Sequence, residues 1–248
     1  MIRVIDLHKT FGRQHVLRGV DLELEEGKIT TIIGGSGSGK TVLLKHLNAL
    51  LLPDRGSVLI GDQDITKLSQ TALNRVRKKF GVLFQGAALL DSMSVYDNVA
   101  FPLRERTKLA EADIEKKVNE SLAQVGLGGR GYKFPAEASG GMKKRAGLAR
   151  ALVTQPEIML FDEPTTGLDP LLGKSIHQLI RRMHETFKFT GVIVSHDIPE
   201  VFRISDRIAM LADGAIAAVG ATEEFIASEN PVVRQFLQGE IDGPITVL

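Results

Sequence analysis

Eight consecutive residues constrain the fold of this chain more than any others: Gly34-Gly35-Ser36-Gly37-Ser38-Gly39-Lys40-Thr41. They follow the apolar run Ile29–Ile33 and precede leucines at helical spacing, Leu43, Leu44, Leu47 and Leu50. Strand, glycine loop and helix in that order fit G-x-x-x-x-G-K-[ST], a loop that cradles phosphates. Glycines let backbone N–H groups converge on phosphate oxygens without Cβ clashes. The helix N-terminus adds positive potential. Lys40 is then expected to reach the β- and γ-phosphates, and the Thr41 hydroxyl to sit on Mg²⁺. At this chain's glycine, lysine and hydroxyl content, chance would supply about 0.02 such matches.

The rest of the chain is consistent with a fold that presents such a loop. Ser57–Ile60, Phe80–Phe84, Ile158–Phe161 and Gly191–Val194 read as short strands. Ile208–Leu211 and Ala215–Val219 read as a hairpin through Asp213-Gly214. Alternation of such strands with helical patterns predicts an α/β fold with a mostly parallel, doubly wound sheet. The first 25 residues read as an antiparallel β-hairpin turning at Gly12-Arg13. From Gly86 to Gln155 the pattern is helical (Ile114, Val118, Leu122, Val125) with no convincing strand. The expected division is a single domain over 1–248. Its core and β-subdomain are 1–85 and 156–224, its inserted helical subdomain 86–155, and its C-terminal extension 225–248 with a helix-like segment at Val232–Leu237.

Composition removes several function classes. There are no cysteines, so disulfide frameworks, thiolate metal sites and thiol catalysis are excluded. Lys plus Arg is 31 against 30 Asp plus Glu, which argues against a polybasic nucleic-acid binder. The longest charge-free runs, Ile29–Gly39 and Phe80–Leu90, are 11 residues each. A spanning helix needs about 20 apolar residues. The N-terminus lacks an apolar secretory core. A cytosolic chain that spans nothing, yet can dock on something that does, is the expectation.

Four further motifs carry chemistry. Ile158–Phe161 ends in Asp162-Glu163. A buried strand would deliver Asp162 to Mg²⁺ and Glu163 to the attacking water as general base. His196 follows the strand GVIVS and suits a γ-phosphate contact. Gln85 ends the strand FGVLF, where a neutral amide can touch Mg²⁺ or the lytic water. Ser139-Gly140-Gly141 opens the helical run MKKRAGLARAL, joining a hydroxyl, bare amides and a helix N-terminus into a second phosphate-binding device. Two such devices beside one set of catalytic residues imply two copies head to tail, each γ-phosphate lying between one copy's loop and the other's Ser-Gly-Gly.

This set resembles the nucleotide-binding subunit of an ABC transporter over essentially the whole chain. The Walker A loop matches at 34–41, the Walker B strand at 158–163, the Q-loop at Gln85, the D-loop at Gly167-Leu168-Asp169 and the switch histidine at His196. The signature departs from L-S-G-G-Q, with Ala138 for Leu and Met142 for Gln. The resemblance implies an ABC ATPase fold: a RecA-like sheet with an N-terminal antiparallel β-subdomain and an inserted helical subdomain. It implies ATP and Mg²⁺, with Thr41, Gln85 and Asp162 on the metal and Phe11 and Val16 beside the nucleotide. Ser139, Gly140, Gly141 and Asp169 would then act in trans on the second copy's ATP. Met142 with its following basic pair, the stretch FQGAALLDSMSVYDNVAFPLRE and the C-terminal VRQFLQGEIDGPI resemble the ATPases of Mla/Ttg2-type, MCE-linked phospholipid transport systems. That likeness implies a peripheral subunit on the cytoplasmic side of a bacterial inner membrane. Its partners would be an integral-membrane permease, a periplasmic MCE-domain protein and a small STAS-domain protein. An amino-acid importer ATPase is the alternative, and a soluble ABC ATPase a lesser one. The short interval from Lys40 to Ser139 leaves no room for a coiled-coil insertion of the DNA-repair kind.

Overall fold

The computed structural model describes residues 1–245. In chain order the elements begin with β1 (Ile2–Phe11), β2 (Gln14–Leu24), β3 (Ile29–Ile33), α1 (Lys40–Leu47), β4 (Arg55–Ile60), β5 (Gln63–Asp64), α2 (Gln70–Arg77) and β6 (Phe80–Leu83). They continue with α3 (Val95–Arg106), α4 (Glu111–Gln124), α5 (Gly140–Leu152), β7 (Ile158–Asp162), α6 (Pro170–Phe187) and β8 (Thr190–Val194). The chain closes with β9 (Arg207–Ala212), β10 (Ala215–Ala221), α7 (Thr222–Ile226) and α8 (Pro231–Gln238). These elements fall into two compact units, one built from Met1–Lys79 together with the chain from Phe189 onward, the other from the continuous stretch Phe80–Lys188.

The discontinuous unit holds two sets of strands. The antiparallel sheet runs β2-β1-β4-β5, its hairpin closing at the expected Gly12 turn with Phe11 opposite Gln14. The other set centres on β3, which is parallel to β8 (Ile32 opposite Val194) and to β9 (Ile32 opposite Ala209). Every residue of β3 and β8 is buried, so both strands read as unbroken apolar runs with polar members only at Thr30, Thr31 and Thr190. β9 and β10 form the expected hairpin, with Asp213 and Gly214 both at positive φ, as a two-residue type I′ turn requires.

Helix α1 stops at Leu47, short of the leucine pattern that reaches Leu50. Ala49 sits at φ 54°, Asn48 Oδ1 accepts from the Leu50 amide at 3.2 Å, and Leu50 is 52% exposed. Arg77, at the end of α2, donates to the carbonyls of Asn48 and Ala49 at 3.4 and 2.7 Å. A cation thus satisfies carbonyls that the terminating helix leaves open. At the other end of this unit, α8 includes the expected Val232–Leu237 segment and lies on β10 with Val233 fully buried. Gln235 is 3% exposed; its amide donates to the carbonyls of Glu240, Ile241 and Ile245 and accepts from the Ile245 amide. The last three positions of the extension, 246–248, lie outside the described residues.

The continuous unit pairs β6 with β7 in parallel, Phe80 opposite Ile158 and Leu83 opposite Phe161. Between Gly86 and Gln155 the described residues hold three α-helices and no strand. α5 packs on α3, α4 and β6. Gly147 permits the last of these contacts: a Cβ there would lie 2.9 Å from Leu83 Cδ1 and 3.1 Å from Ala87 Cβ. α6, absent from the strand-based reading, is a long helix with the Asp169 side chain capping its N-terminus and Pro170 at its first position.

Candidate nucleotide site

The glycine loop is built from β3 outward. Gly34 turns at φ 152°, and a Cβ there would meet the Leu211 carbonyl oxygen of β9 at 2.2 Å, so only glycine lets the chain pass. Gly37 and Gly39 also take positive φ, 75° and 102°, and Gly39 serves as the N-cap of α1. Gly35, Ser36 and Gly37 are exposed, with nothing within 4 Å of a Cβ at either glycine. Val16 of β2 walls the loop, its Cγ1 3.0 Å from where a Gly39 Cβ would stand. Lys40 is 8% exposed, and its ammonium donates to the carbonyls of Gly34 and Gly35 at 2.9 and 2.7 Å. Thr41 follows in the first turn of α1. Ser38 Oγ is buried with no hydrogen-bond partner among the described residues. A buried hydroxyl without a protein partner, beside exposed amides at a helix N-terminus, fits a phosphate ligand.

His196 belongs to the same unit. Because β8 lies beside β3 in parallel register, its exit falls beside the exit that leads into the loop, and the Ser195 amide donates to the Ile32 carbonyl at 3.3 Å. His196 itself is exposed. Phe11 ends β1, 45% exposed, with the Lys9 ammonium 5.5 Å from its ring centroid.

The continuous unit carries the remaining candidates. Asp162 ends β7 and is 8% exposed; Glu163 follows it at φ 50°. The Glu163 carboxylate accepts from Thr166 Oγ1 at 3.2 Å. Gln85 lies just past β6 and is exposed. Ser139 is the N-cap of α5, its hydroxyl accepting from the Met142 amide at 3.3 Å. Gly140 and Gly141 form the first turn under the chain that enters α6: a Cβ on Gly140 would come within 3.2 Å of Leu168, and one on Gly141 within 3.6 Å of Leu172. Asp169 Oδ1 accepts from the amides of Leu171 and Leu172, both at 3.0 Å.

One residue of this unit was not singled out from sequence. Lys144 of α5 is 5% exposed, and its ammonium donates to the backbone carbonyls of both Gln85 and Glu163, the latter at 3.3 Å. Burial pushes its pKa down, opposed by the negative charges of Glu163 and Asp162. The signal was present: Lys144 stands four and seven positions before Leu148 and Ala151, on the buried face of the helix. Among the described residues no group of three His, Asp or Glu side chains could hold a metal alone. Mg²⁺ keeps waters and substrate phosphates and needs only one or two protein oxygens. The hydroxyl of Thr41, the amide of Gln85 and the carboxylate of Asp162 are donors of that hard-oxygen kind.

The family model described as ABC transporter matches residues 17–166. The chain is 44% identical to the intermembrane phospholipid transport system ATP-binding protein MlaF of Haemophilus influenzae over 245 residues, 99% of this chain and 93% of that protein. MlaF of Escherichia coli is 41% identical, with 99% and 91% covered. A protein of Mycobacterium tuberculosis described as a probable ribonucleotide transport ATP-binding protein, mkl, is 47% identical over 98% of this chain and 68% of its own length. Among solved structures, the dimeric cassette MJ0796 in a post-hydrolysis state with ADP and Pi superposes with a TM-score of 0.82 at 31% identity, covering 90% of this chain and 99% of that one. cbiO1 of Clostridium perfringens gives 0.84 at 31%, covering 92% and 91%. The α/β fold expected from the sequence is therefore that of an ABC ATPase cassette, and this chain belongs to the ABC transporter family as an ATP-binding subunit.

Proposed function

We propose that the chain is the ATP-hydrolysing subunit of an inner-membrane phospholipid transporter that maintains outer-membrane lipid asymmetry. The observation that carries this reading is mutual coverage: the likeness to MlaF of Haemophilus influenzae spans 99% of this chain and 93% of that protein, leaving little of either unmatched. The same likeness supports a peripheral position on the cytoplasmic side of the membrane. It also supports work alongside an integral-membrane permease, a periplasmic MCE-domain protein and a small STAS-domain protein, without nucleic acid.

Each residue takes a role its chemistry supports. The amides of Gly34, Gly35, Ser36, Gly37, Ser38 and Gly39 and the Lys40 ammonium hold the β- and γ-phosphates of ATP. Phe11 and Val16 flank the base. Thr41, Gln85 and Asp162 serve as the protein ligands of Mg²⁺, which when bound offsets phosphate charge. Glu163 accepts a proton from water as the water oxygen bonds to the γ-phosphorus and the bond to the β–γ bridging oxygen breaks, giving ADP and phosphate. His196 contacts a γ-phosphate oxygen. Ser139, Gly140, Gly141 and Asp169 complete the site of a second copy, so that two ATP molecules are sandwiched head to tail.

The test is to purify the chain with its native membrane partners and reconstitute the complex in vesicles carrying labelled phospholipid. Recovery of a permease and an MCE-domain protein, with ATP-dependent phospholipid transfer, is the expected result. A soluble substrate-binding protein with an amino-acid permease, or ATP-dependent transfer of a ribonucleotide instead, would overturn the cargo while sparing the ATPase.

A further inference from the structure

The buried ammonium of Lys144 raises a question that its helix does not answer. A lysine at 5% exposure on a face otherwise lined by Gly147, Leu148 and Ala151 costs more to bury than an apolar side chain would. Its two protein acceptors are the main-chain oxygens of Gln85 and Glu163. Both oxygens belong to residues of this unit with assigned roles, Gln85 toward the metal and Glu163 toward the attacking water.

Glu163 needs such support. Its φ of 50° is in the left-handed region, which a residue with a Cβ enters only when its surroundings hold it there. The next residue is Pro164, which further restricts the backbone before it. The Thr166 amide, from the same turn, and Lys144, from α5, both donate to the Glu163 carbonyl, each at 3.3 Å. Thr166 moves with the turn, whereas Lys144 ties the Glu163 peptide to a separate element, α5.

We propose that Lys144 is a positioning residue for hydrolysis: it clamps the backbone carbonyls of Glu163 and Gln85 to one ammonium and so fixes the general base against the residue that senses the metal. It acts through those two carbonyls. The inference rests on the assignment of Glu163 as base, and the experiment separates the two. Steady-state ATPase activity of the full chain is measured for Lys144→Met, Lys144→Arg and Glu163→Gln, with nucleotide affinity and melting temperature alongside. Misplacing a catalytic group by an ångström costs on the order of 100-fold. Lys144→Met is therefore expected to lower kcat by tenfold or more while KM for ATP stays within about twofold. Lys144→Arg, whose guanidinium keeps the charge and offers a fork of donors, is expected to recover most of kcat. A Met variant with parental kcat, or an Arg variant as slow as the Met one, overturns the proposal. If the Met variant does not fold, Lys144→Gln replaces it in the same comparison. Near-normal turnover by Glu163→Gln would remove the base assignment itself; an inactive Glu163→Gln beside a fully active Lys144→Met would remove only the clamp.

Discussion

Gly34 and Gly35 are neighbours in the same loop, yet the structure predicts opposite consequences for the same substitution. Alanine at 34 would place its Cβ 2.2 Å from the Leu211 carbonyl oxygen and 3.2 Å from the Leu211 carbonyl carbon. Both atoms are backbone, in a fully buried stretch of β9, so neither can swing aside as a side-chain tip would. A φ of 152° adds strain that an L side chain does not relieve. Overpacking costs about 1–3 kcal/mol and a sparsely populated backbone conformation about 1–3 kcal/mol more. The sum, about 2–6 kcal/mol, lowers Tm by roughly 4–24 °C in a chain of this size. Gly35→Ala meets nothing within 4 Å and carries no positive φ, so its cost should stay within about 0.5 kcal/mol. Thermal melting of the two variants, checked by urea titration, decides the matter. A Gly34→Ala protein that melts within a degree of the parent, or a Gly35→Ala protein destabilised as much, would refute the steric account of the loop.

Three other outcomes follow from the site. Glu163→Gln should bind ATP at parental affinity while hydrolysing it about 10²–10⁴-fold more slowly, accumulating an ATP-bound dimer visible by sedimentation; Lys40→Ala should instead lose binding in an equilibrium nucleotide titration. Ser139 variants should bind ATP as single chains yet not hydrolyse it, and mixing them with Lys40-defective chains should restore at most one intact site per dimer; a fully active monomer by sedimentation would refute the shared site. Ser38→Ala removes a buried hydroxyl that has no partner among the described residues, so it should leave Tm unchanged or slightly raised while weakening ATP binding measured by calorimetry.

The legible part of this fold was the part whose local chemistry leaves little choice. A loop of four glycines ending in Lys-Thr admits one strand-to-helix geometry, and the Asp213-Gly214 pair admits one hairpin turn. α6 went unread because attention to strands passes over a segment whose first turn exposes Leu171 and Leu172. Its caps, Asp169 and Pro170, and the spacing of Ile176, Leu179, Ile180 and Met183 were all available. The end of α1 was only partly available: leucine spacing runs on to Leu50, the local cue is Asn48 at the helix end, and the other support, the Arg77 guanidinium on the Asn48 and Ala49 carbonyls, comes from some thirty positions later. For Lys144 the pattern carries half of the answer: its spacing to Leu148 and Ala151 puts it on the buried face of α5, while the two carbonyls that its ammonium meets come from distant stretches of the chain.

The split of one compact unit across both ends of the chain also dictates an order of events at the ribosome. β3 emerges early, but its two parallel neighbours, β8 and β9, are the last strands made apart from β10. With roughly 150 residues between Ile33 and Thr190, synthesised at about 5–20 per second, β3 waits on the order of 8–30 s for a partner. Throughout that wait its apolar residues, all buried at the end, have no strand to pair with in their own sheet. In the continuous stretch Phe80–Lys188 the wait is about half as long, since some 74 residues, roughly 4–15 s of synthesis, separate β6 from β7. The nascent chain therefore carries an unpaired strand beside a segment already able to close. Chaperone binding during synthesis should concentrate on the first 79 residues until Val194 has left the exit tunnel.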